Sequence, residues 1–416
     1  MSNKKLTIGL FGFGVVGEGL YKVLKQTSTL NATIKRIVIK HPEKKRNAPN
    51  DIFTILADEV LNDESINVVV ELIDDADAAY YIVTNALKKG KAVVSANKKL
   101  IAEHLNELLA LQEKYNVPFL YEAAVCASIP VIRNLEEYYD NDLLHGISGI
   151  VNGSTNFILS KIFNDGVEFT EALLQAQQLG FAESNPSLDV LGIDAVNKLT
   201  ILLLHAYGII TKPNKILYCG IQNIKQQDAA IAAQRKYKIK LVAHAGKLQN
   251  GKIASFLLPQ FVEDNHQLYN VENEYNGVVI ESGFADKQFF YGKGAGSFPT
   301  ASAVLSDISA LRYNYKYEYK KKNASQENEL TYNYYLKVYV SYDNLEAVRK
   351  DDFEWIEEFH SGQSRSYFVG MINAEKLLKN DWWKKYGISL VLLPNPILES
   401  IDYKKIQKKS LELAGV

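Results

Sequence analysis

Short apolar runs alternate with longer amphipathic stretches along the first third of the chain. LTIGLF at residues 6–11 is a continuous apolar run, the pattern of a strand buried on both faces. IKRIVIK, INVVVELI, KAVVSANK and VPFLYEAAV read as further strands, and AAYYIVTNALKKG and AEHLNELLALQEKYN carry apolar residues at helical spacing. The first of these helices is expected to stop at Gly90 and the second before Pro118. Strands alternating with helices predict an α/β domain built on a doubly wound parallel sheet of the Rossmann type. Further on, IDAVNKLTILLLHAYG reads as a helix with a long apolar side. KKNASQENEL, at 321–330, has no apolar period and reads as a polar linker. Beyond it YYLKVYVSY alternates as a strand, AVRKDDFEWIEEFH reads as a helix, and SRSYFVGMI and GISLVLLP read as strands, an order that suits a small ferredoxin-like α+β module.

A chain of 416 residues exceeds one ordinary core, so two or three domains are expected. The boundaries fall at 1–132 for a dinucleotide-binding domain, completed by a helix within 299–320; at 133–298 for an α+β substrate and dimerisation domain; and at 330–416 for the C-terminal module. Apolar residues make up 47% and charged residues 23%, the balance of a soluble globular protein, and the net charge of −1 favours neither nucleic acid nor an anionic membrane. The two cysteines, Cys126 and Cys219, give neither a disulfide framework nor a metal-ligand spacing. With no apolar signal core at the start and no run of about 20 apolar residues, the expected location is the cytoplasm.

The run GFGVVG (Gly12, Phe13, Gly14, Val15, Val16, Gly17) follows the first strand and opens a helix. This is the G-x-G-x-x-G fingerprint in its proper setting: the first glycine makes the tight turn, the second lets a pyrophosphate approach the backbone, and the third lets helix and strand pack closely. The second strand ends at Ile39-Lys40-His41, where an enzyme using NAD usually has an acidic residue for the ribose 2′-hydroxyl. Lys40, with Lys44, Lys45 and Arg46 beyond it, suits a 2′-phosphate, so NADP is favoured over NAD; the competing reading is a solvated basic loop. GFAESNPSLDVLGIDAVNKL, at 180–199, gathers Glu183, Asp189, Asp194 and Lys198. On a helix Asp194 and Lys198 share a face one turn apart. They make either a surface ion pair or the mouth of a pocket that binds a cationic substrate and moves a proton.

These blocks, in this order, resemble the homoserine dehydrogenase family over about residues 6–312: GFGVVG, VVVELI, SANKKL, YEAAV, GIVNGSTNFIL, the 180–199 stretch, GIITKPNKIL, IKLVAHA and YGKGAGSFPTASAVLSDI. The resemblance implies a cytosolic enzyme of threonine and methionine biosynthesis that interconverts L-aspartate 4-semialdehyde and L-homoserine. With no kinase-like region before the glycine turn, the monofunctional form is expected. It also implies roles. Lys198 matches the proposed acid/base, and Lys98 a second lysine near nicotinamide and substrate, with Ser95 and Asn97 beside it on the cofactor. Glu183 matches the residue that holds the substrate amine, and Asp189 and Asp194 match acidic positions that support substrate or orient the lysine. Gly180 and Gly296 match glycines adjacent to the cofactor. A lysine can polarise a carbonyl and supply its proton when desolvation or a neighbouring cation draws its pKa toward neutrality. A monovalent cation, typically sodium, is implied at Glu122, Val125, Ala127 and Ile129, mainly through backbone carbonyls. A homodimer is the family habit, and the C-terminal module corresponds to a regulatory ACT module in diverged form.

Two departures stand out. Asp74 and Asp75 replace a Gly-Gly pair after VVVELI, and Cys126-Ala127-Ser128 occupies a stretch that is usually glycine-rich. Ser154 or Thr155 reads as the cap of the helix that NGSTNFIL begins. Alternatives to be weighed are a semialdehyde dehydrogenase with Cys126 as nucleophile, and a non-catalytic dinucleotide-binding regulatory protein on the same scaffold.

Overall fold

A computed structural model describes residues 5–27, 29–140, 143–324, 328–362 and 365–401. Residues 325–327 of the polar linker and 402–416 of the C-terminal module lie outside the described residues. The chain divides into two compact units. One comprises Met1–Leu143, Asn197–Pro213 and Phe290–Glu327; the other comprises Leu144–Val196, Asn214–Phe289 and Asn328–Val416.

The first unit is built on strands β1 (Leu6–Phe11), β2 (Ala32–Val38), β3 (Phe53–Thr54), β4 (Val68–Glu71), β5 (Ala92–Ser95) and β6 (Phe119–Leu120). They form a parallel sheet in the order β3-β2-β1-β4-β5-β6. The order reverses beside β1, the topological switch point at which such sheets bind dinucleotides. The apolar runs are continuous because the strands are covered on both faces: Leu6, Ile8, Leu10, Val69, Val93 and Val94 have no exposed surface. Helix Ala76–Lys88 is capped by Asp75, whose carboxylate accepts the Ala78 N–H, and helix Lys98–Tyr115 by Asn97, which accepts the Leu100 N–H. Helix Ser297–Ala310 packs on helix Val15–Gln26, with the Ser297 hydroxyl donating to Val15 O at 2.7 Å.

The strand expected over 117–125 is confined to Phe119–Leu120, and Glu122–Ala124 is a 3₁₀ turn. The Glu122 N–H donates to Asp307 Oδ2 at 2.9 Å instead of to a neighbouring strand, so the sheet ends there.

The second unit carries β7 (Leu144–Ile150), β8 (Leu217–Tyr218), β9 (Tyr237–Lys247), β10 (Ile253–Glu263), β11 (Tyr275–Ser282), β12 (Asp286–Lys293), β13 (Tyr335–Tyr342), β14 (Phe353–His360), β15 (Ser366–Asn373) and β16 (Ile388–Leu398). These make one ten-stranded sheet, β12-β11-β7-β9-β10-β16-β13-β15-β14, with β8 beside β10. The C-terminal strands are antiparallel in the order β16-β13-β15-β14, the arrangement of a ferredoxin-like module, and β16 meets β10 in parallel at Leu392 and Gln260. Their core includes Val338, Val340, Phe368, Leu392 and Trp383.

The helix expected at AVRKDDFEWIEEFH is a strand. Two 3₁₀ turns, Leu345–Ala347 and Lys350–Asp352, lead into β14, which pairs with β15 through two register shifts. Its Glu residues favour helix, but Phe353 and Ile356 find their partners across the sheet and pairing overrides propensity.

Candidate active site

The turn after β1 has the geometry that a pyrophosphate needs. At Gly12, φ is +93°, and a Cβ there would lie 2.6 Å from Leu72 O. A Cβ at Gly17 would lie 2.3 Å from Gly12 O, so the third glycine lets the helix sit on the turn, whereas a Cβ at Gly14 would meet nothing within 4 Å. The open side at Gly14 is where backbone N–H groups of the helix N-terminus stay free for an anion. Phe13 lies inward, edge-on to Tyr21 and Phe53, while Val15 is exposed and Val16 half-buried. These features fit a dinucleotide phosphate.

Lys40 is exposed just beyond β2. Arg46 organises the loop that follows: its guanidinium donates to Lys44 O at 2.7 Å and to His41 O at 2.6 Å, and it lies over the Phe53 ring. Lys40, Lys44 and Lys45 make no ion pair among the described residues, which leaves their ammonium groups available to an added anion.

At the carboxyl ends of β4 and β5, Ser95 and Asn97 are buried and Lys98 is half-buried as the first residue of its helix. Lys99 is exposed, next to Glu103. Asp74 and Asp75 are exposed, and Asp75 is committed to its helix cap rather than to the turn at Gly12.

In the second unit the acidic segment converges on Asn152. This residue, not Ser154 or Thr155, caps helix Gly153–Asn164: its Oδ1 accepts the Thr155 N–H at 2.8 Å. Its Nδ2 donates to Asp189 at 2.6 Å and to Asp194 at 2.9 Å, bridging the two carboxylates. Ser154 instead donates to Phe181 O at 2.5 Å, which fixes the start of the acidic loop. Ile221 N donates to Val190 O at 2.8 Å and fixes the turn that carries Asp189. Glu183 is exposed, its carbonyl held by Gln177 Nε2 at 2.9 Å. Asp194 and Lys198 lie one turn apart on helix Ile193–Tyr207, only 6% and 7% exposed, which rules out the solvated surface pair. No sequence motif marks Asn152 as the bridge; its only signal is its place at a strand-to-helix junction.

Glu122, Val125, Ala127 and Ile129 are all buried around one tight turn. Cys126 and Ala127 take φ of +56° and +40°, a left-handed pair without glycine, costing on the order of 1–3 kcal/mol each. Glu122 Oε1 accepts the Ile132 N–H at 2.9 Å, and Oε2 accepts the Arg133 N–H at 2.8 Å. Asp307, fully buried, pairs with Arg133 at 2.8 Å. Burial pushes the Glu122 carboxyl up to about 8, with the Asp307 charge adding to it, and burial raises Asp307 in turn. When both carboxyls are ionised, one guanidinium leaves one negative charge in excess, which either a proton or a monovalent cation among oxygen donors would offset. Sequence reading misses Asp307 and Arg133 because they lie far from Glu122 in sequence. Among the described residues no group of three or more His, Cys, Asp or Glu side chains suits a metal ion.

Gly180 (φ +76°) and Gly296 (φ +114°) are exposed, the latter capping helix Ser297–Ala310. Cys126 is completely buried, an unsuitable place for an attacking thiolate, and burial pushes the Cys219 thiol up to about 11.

A glycine turn at the switch point of a parallel sheet, with polar side chains at the carboxyl ends of β4 and β5, defines a dinucleotide-binding α/β enzyme. Residues 12–122 match the family described as the NAD binding domain of homoserine dehydrogenase, and residues 130–309 match the family described as homoserine dehydrogenase. The chain is 35% identical over 320 residues to the homoserine dehydrogenase of Bacillus subtilis, covering 75% of this chain and 74% of that protein. It is similar in structure to a homoserine dehydrogenase from Thiobacillus denitrificans, with a TM-score of 0.81 and 26% identity, covering 94% of this chain and 98% of that one. A hyperthermophilic archaeal homoserine dehydrogenase mutant in complex with NADPH matches with a TM-score of 0.65 and 27% identity, covering 76% of this chain and 100% of that one. The chain belongs to the homoserine dehydrogenase family. It is an oxidoreductase that acts on a CH–OH group, uses a nicotinamide dinucleotide, and interconverts L-homoserine and L-aspartate 4-semialdehyde. No described helix is long and apolar enough to cross a membrane.

Proposed function

We propose that Lys198 is the acid/base of this dehydrogenase, aided by Lys98, and that Glu183, Asp189 and Asp194 bind and orient the substrate. The nicotinamide supplies or accepts the hydride at the reacting carbon. When the aldehyde is reduced, the Lys198 ammonium donates a hydrogen bond to the carbonyl oxygen and then its proton; when homoserine is oxidised, the neutral amine takes the hydroxyl proton. Asp194, one helical turn earlier, orients the lysine. Glu183 accepts from the substrate α-ammonium, and Asn152 keeps Asp189 and Asp194 apart while holding both in place. The observation that carries this reading is a buried lysine one turn from a carboxylate that shares an amide with a second carboxylate.

NADP is the preferred cofactor, with Lys40 on the 2′-phosphate, Gly12 to Gly17 around the pyrophosphate, and Ser95, Asn97, Lys98, Gly180 and Gly296 toward the nicotinamide. The NADPH bound by the archaeal relative is in line with this. The carbonyls of Val125, Ala127 and Ile129, with Glu122, hold a monovalent cation whose charge offsets the excess carboxylate. A homodimer forms through the sheet edge at β12, where Phe289 on the strand and Phe284 in the turn before it are exposed by 40% and 87%. The functional domains are residues 1–132 with the 299–320 helix, 133–298, and 330–416 as a diverged ACT-like module, in an enzyme of the cytoplasm.

Absorbance of the reduced nicotinamide tests the chemistry. It should rise when homoserine and NADP are mixed with the enzyme, and rise more slowly at the same concentration of NAD. Lys198→Ala should abolish the signal while leaving NADPH binding intact; full turnover in that variant would overturn the assignment.

A further inference from the structure

Glu71 takes no part in the chemistry above, yet its carboxyl is completely buried at the end of β4. Oε1 accepts the Ile73 N–H at 2.7 Å, and Oε2 accepts the Ser95 hydroxyl at 2.6 Å. Ser95 Oγ accepts the Asn97 N–H at 3.1 Å, and Asn97 Nδ2 donates to Ile73 O at 3.1 Å. Glu71, Ser95, Asn97 and Ile73 thus close a ring of hydrogen bonds across the carboxyl ends of two adjacent strands. The ring holds the Leu72–Ile73 segment, which packs against Gly12 closely enough to exclude a Cβ. It also holds Asn97, whose Oδ1 caps the helix that begins at Lys98.

A carboxyl buried without a cation is costly, and an uncharged side chain could bridge two strand ends without that cost. We propose that Glu71 is a positioning residue for the cofactor: as a carboxylate it closes the ring that sets Asn97, Lys98 and the wall at Gly12, and as a neutral acid it loosens that ring. The inference rests on the reading that Asn97 and Lys98 meet the cofactor. Burial pushes the Glu71 carboxyl up to about 7 against the Ser95 hydroxyl and the Ile73 amide. Those two uncharged donors are what face it from β5 and from its own turn, and the nearest acids in sequence, Asp74 and Asp75, are exposed. When Glu71 is protonated, its Oε2–H must donate to Ser95 Oγ and the Ser95 proton turns away, so a charge-assisted bond becomes a weaker neutral one of reversed direction and the ring loosens at that link. Rising pH should therefore strengthen the ring and tighten cofactor binding.

The test is the NADPH dissociation constant, from fluorescence titration of the full enzyme at pH 6.0, 7.0 and 8.0, for the parent, Glu71→Gln and Asn97→Ala. From pH 6.0 to 8.0 the parent should gain about fivefold more affinity than Glu71→Gln, since one pK unit of coupling is tenfold. The 2′-phosphate of NADPH ionises identically in both and cancels. A merely structural Glu71 would move the melting temperature and leave this difference at zero. Should Glu71→Gln fold poorly, Ser95→Ala breaks the same link from the other strand and should flatten the pH slope alike. An unchanged slope in both variants overturns the proposal. If Asn97→Ala leaves NADPH affinity untouched at every pH, the placement of the cofactor at Asn97 fails first and this inference falls with it.

Discussion

The excess charge around Glu122 makes a prediction that can be worked through. Glu122 and Asp307 are buried beside the half-buried Arg133, two acids against one cation. Burial and the Asp307 charge raise Glu122 from 4.5 to about 8, so the folded protein holds this proton more tightly than the unfolded chain. Its contribution to stability is therefore complete below pH 4.5 and is lost as pH rises to about 8. At about 1.4 kcal/mol per unit, the loss is on the order of 4 kcal/mol. A cation at the carbonyls of this turn would replace the proton. At a concentration about 100-fold above its dissociation constant it returns about 2.7 kcal/mol, or ~5–10 °C in melting temperature for a domain of this size.

The assay is thermal unfolding at pH 5.5 and 8.0 in sodium, potassium or choline chloride at equal ionic strength, so that general screening is constant. In choline the enzyme should melt several degrees lower at pH 8.0 than at pH 5.5, and sodium or potassium should restore most of the difference. Glu71 and Asp307, also raised by burial, push in the same direction, so the difference between the parent and Glu122→Gln isolates the site. That variant should lose the cation response and the Glu122 share of the pH response, keeping the share of Glu71 and Asp307. Equal melting temperatures in choline at the two pH values, or a full sodium response in Glu122→Gln, would overturn the assignment of a cation to this turn.

Lys198→Met should lower kcat by roughly 10²–10⁴ with NADPH affinity unchanged, as read by steady-state rates and fluorescence titration. Asn152→Ala leaves Asp189 and Asp194 without their shared amide; KM for homoserine should rise at least about tenfold, in line with about 1–3 kcal/mol for an unsatisfied buried group, while KM for NADP stays within about twofold. Lys40→Ala should raise KM for NADP by about tenfold and leave KM for NAD unchanged, the expectation for one charge-assisted contact to a phosphate; an equal effect on both cofactors would move the 2′-phosphate elsewhere.

What could be read from the sequence is what depends on near neighbours. The glycine turn, the buried strands and the one-turn spacing of Asp194 and Lys198 are local patterns, and each lies in the element expected. The errors fall where a distant partner decides. The strand expected over 117–125 stops early because Asp307, 185 positions from Glu122, captures its N–H. Residues 353–360 form a strand because β15 pairs with them, although three of the eight are Glu, a helix-favouring residue. Asn152 looks like ordinary capping chemistry, and only the folded chain brings Asp189 and Asp194 to its amide. Glu71 reads as one polar residue ending an apolar run, and its partner Ser95 is 24 positions away. The residues hidden in sequence are thus those that hold the proposed catalytic and binding groups in place. A buried polar network is specified by strands and helices meeting in space, so its members carry no shared motif. Substitutions at Glu71, Asn152 and Asp307 should therefore alter pH dependence, substrate affinity and cation response separately, whereas Lys198 should alter the chemical step alone.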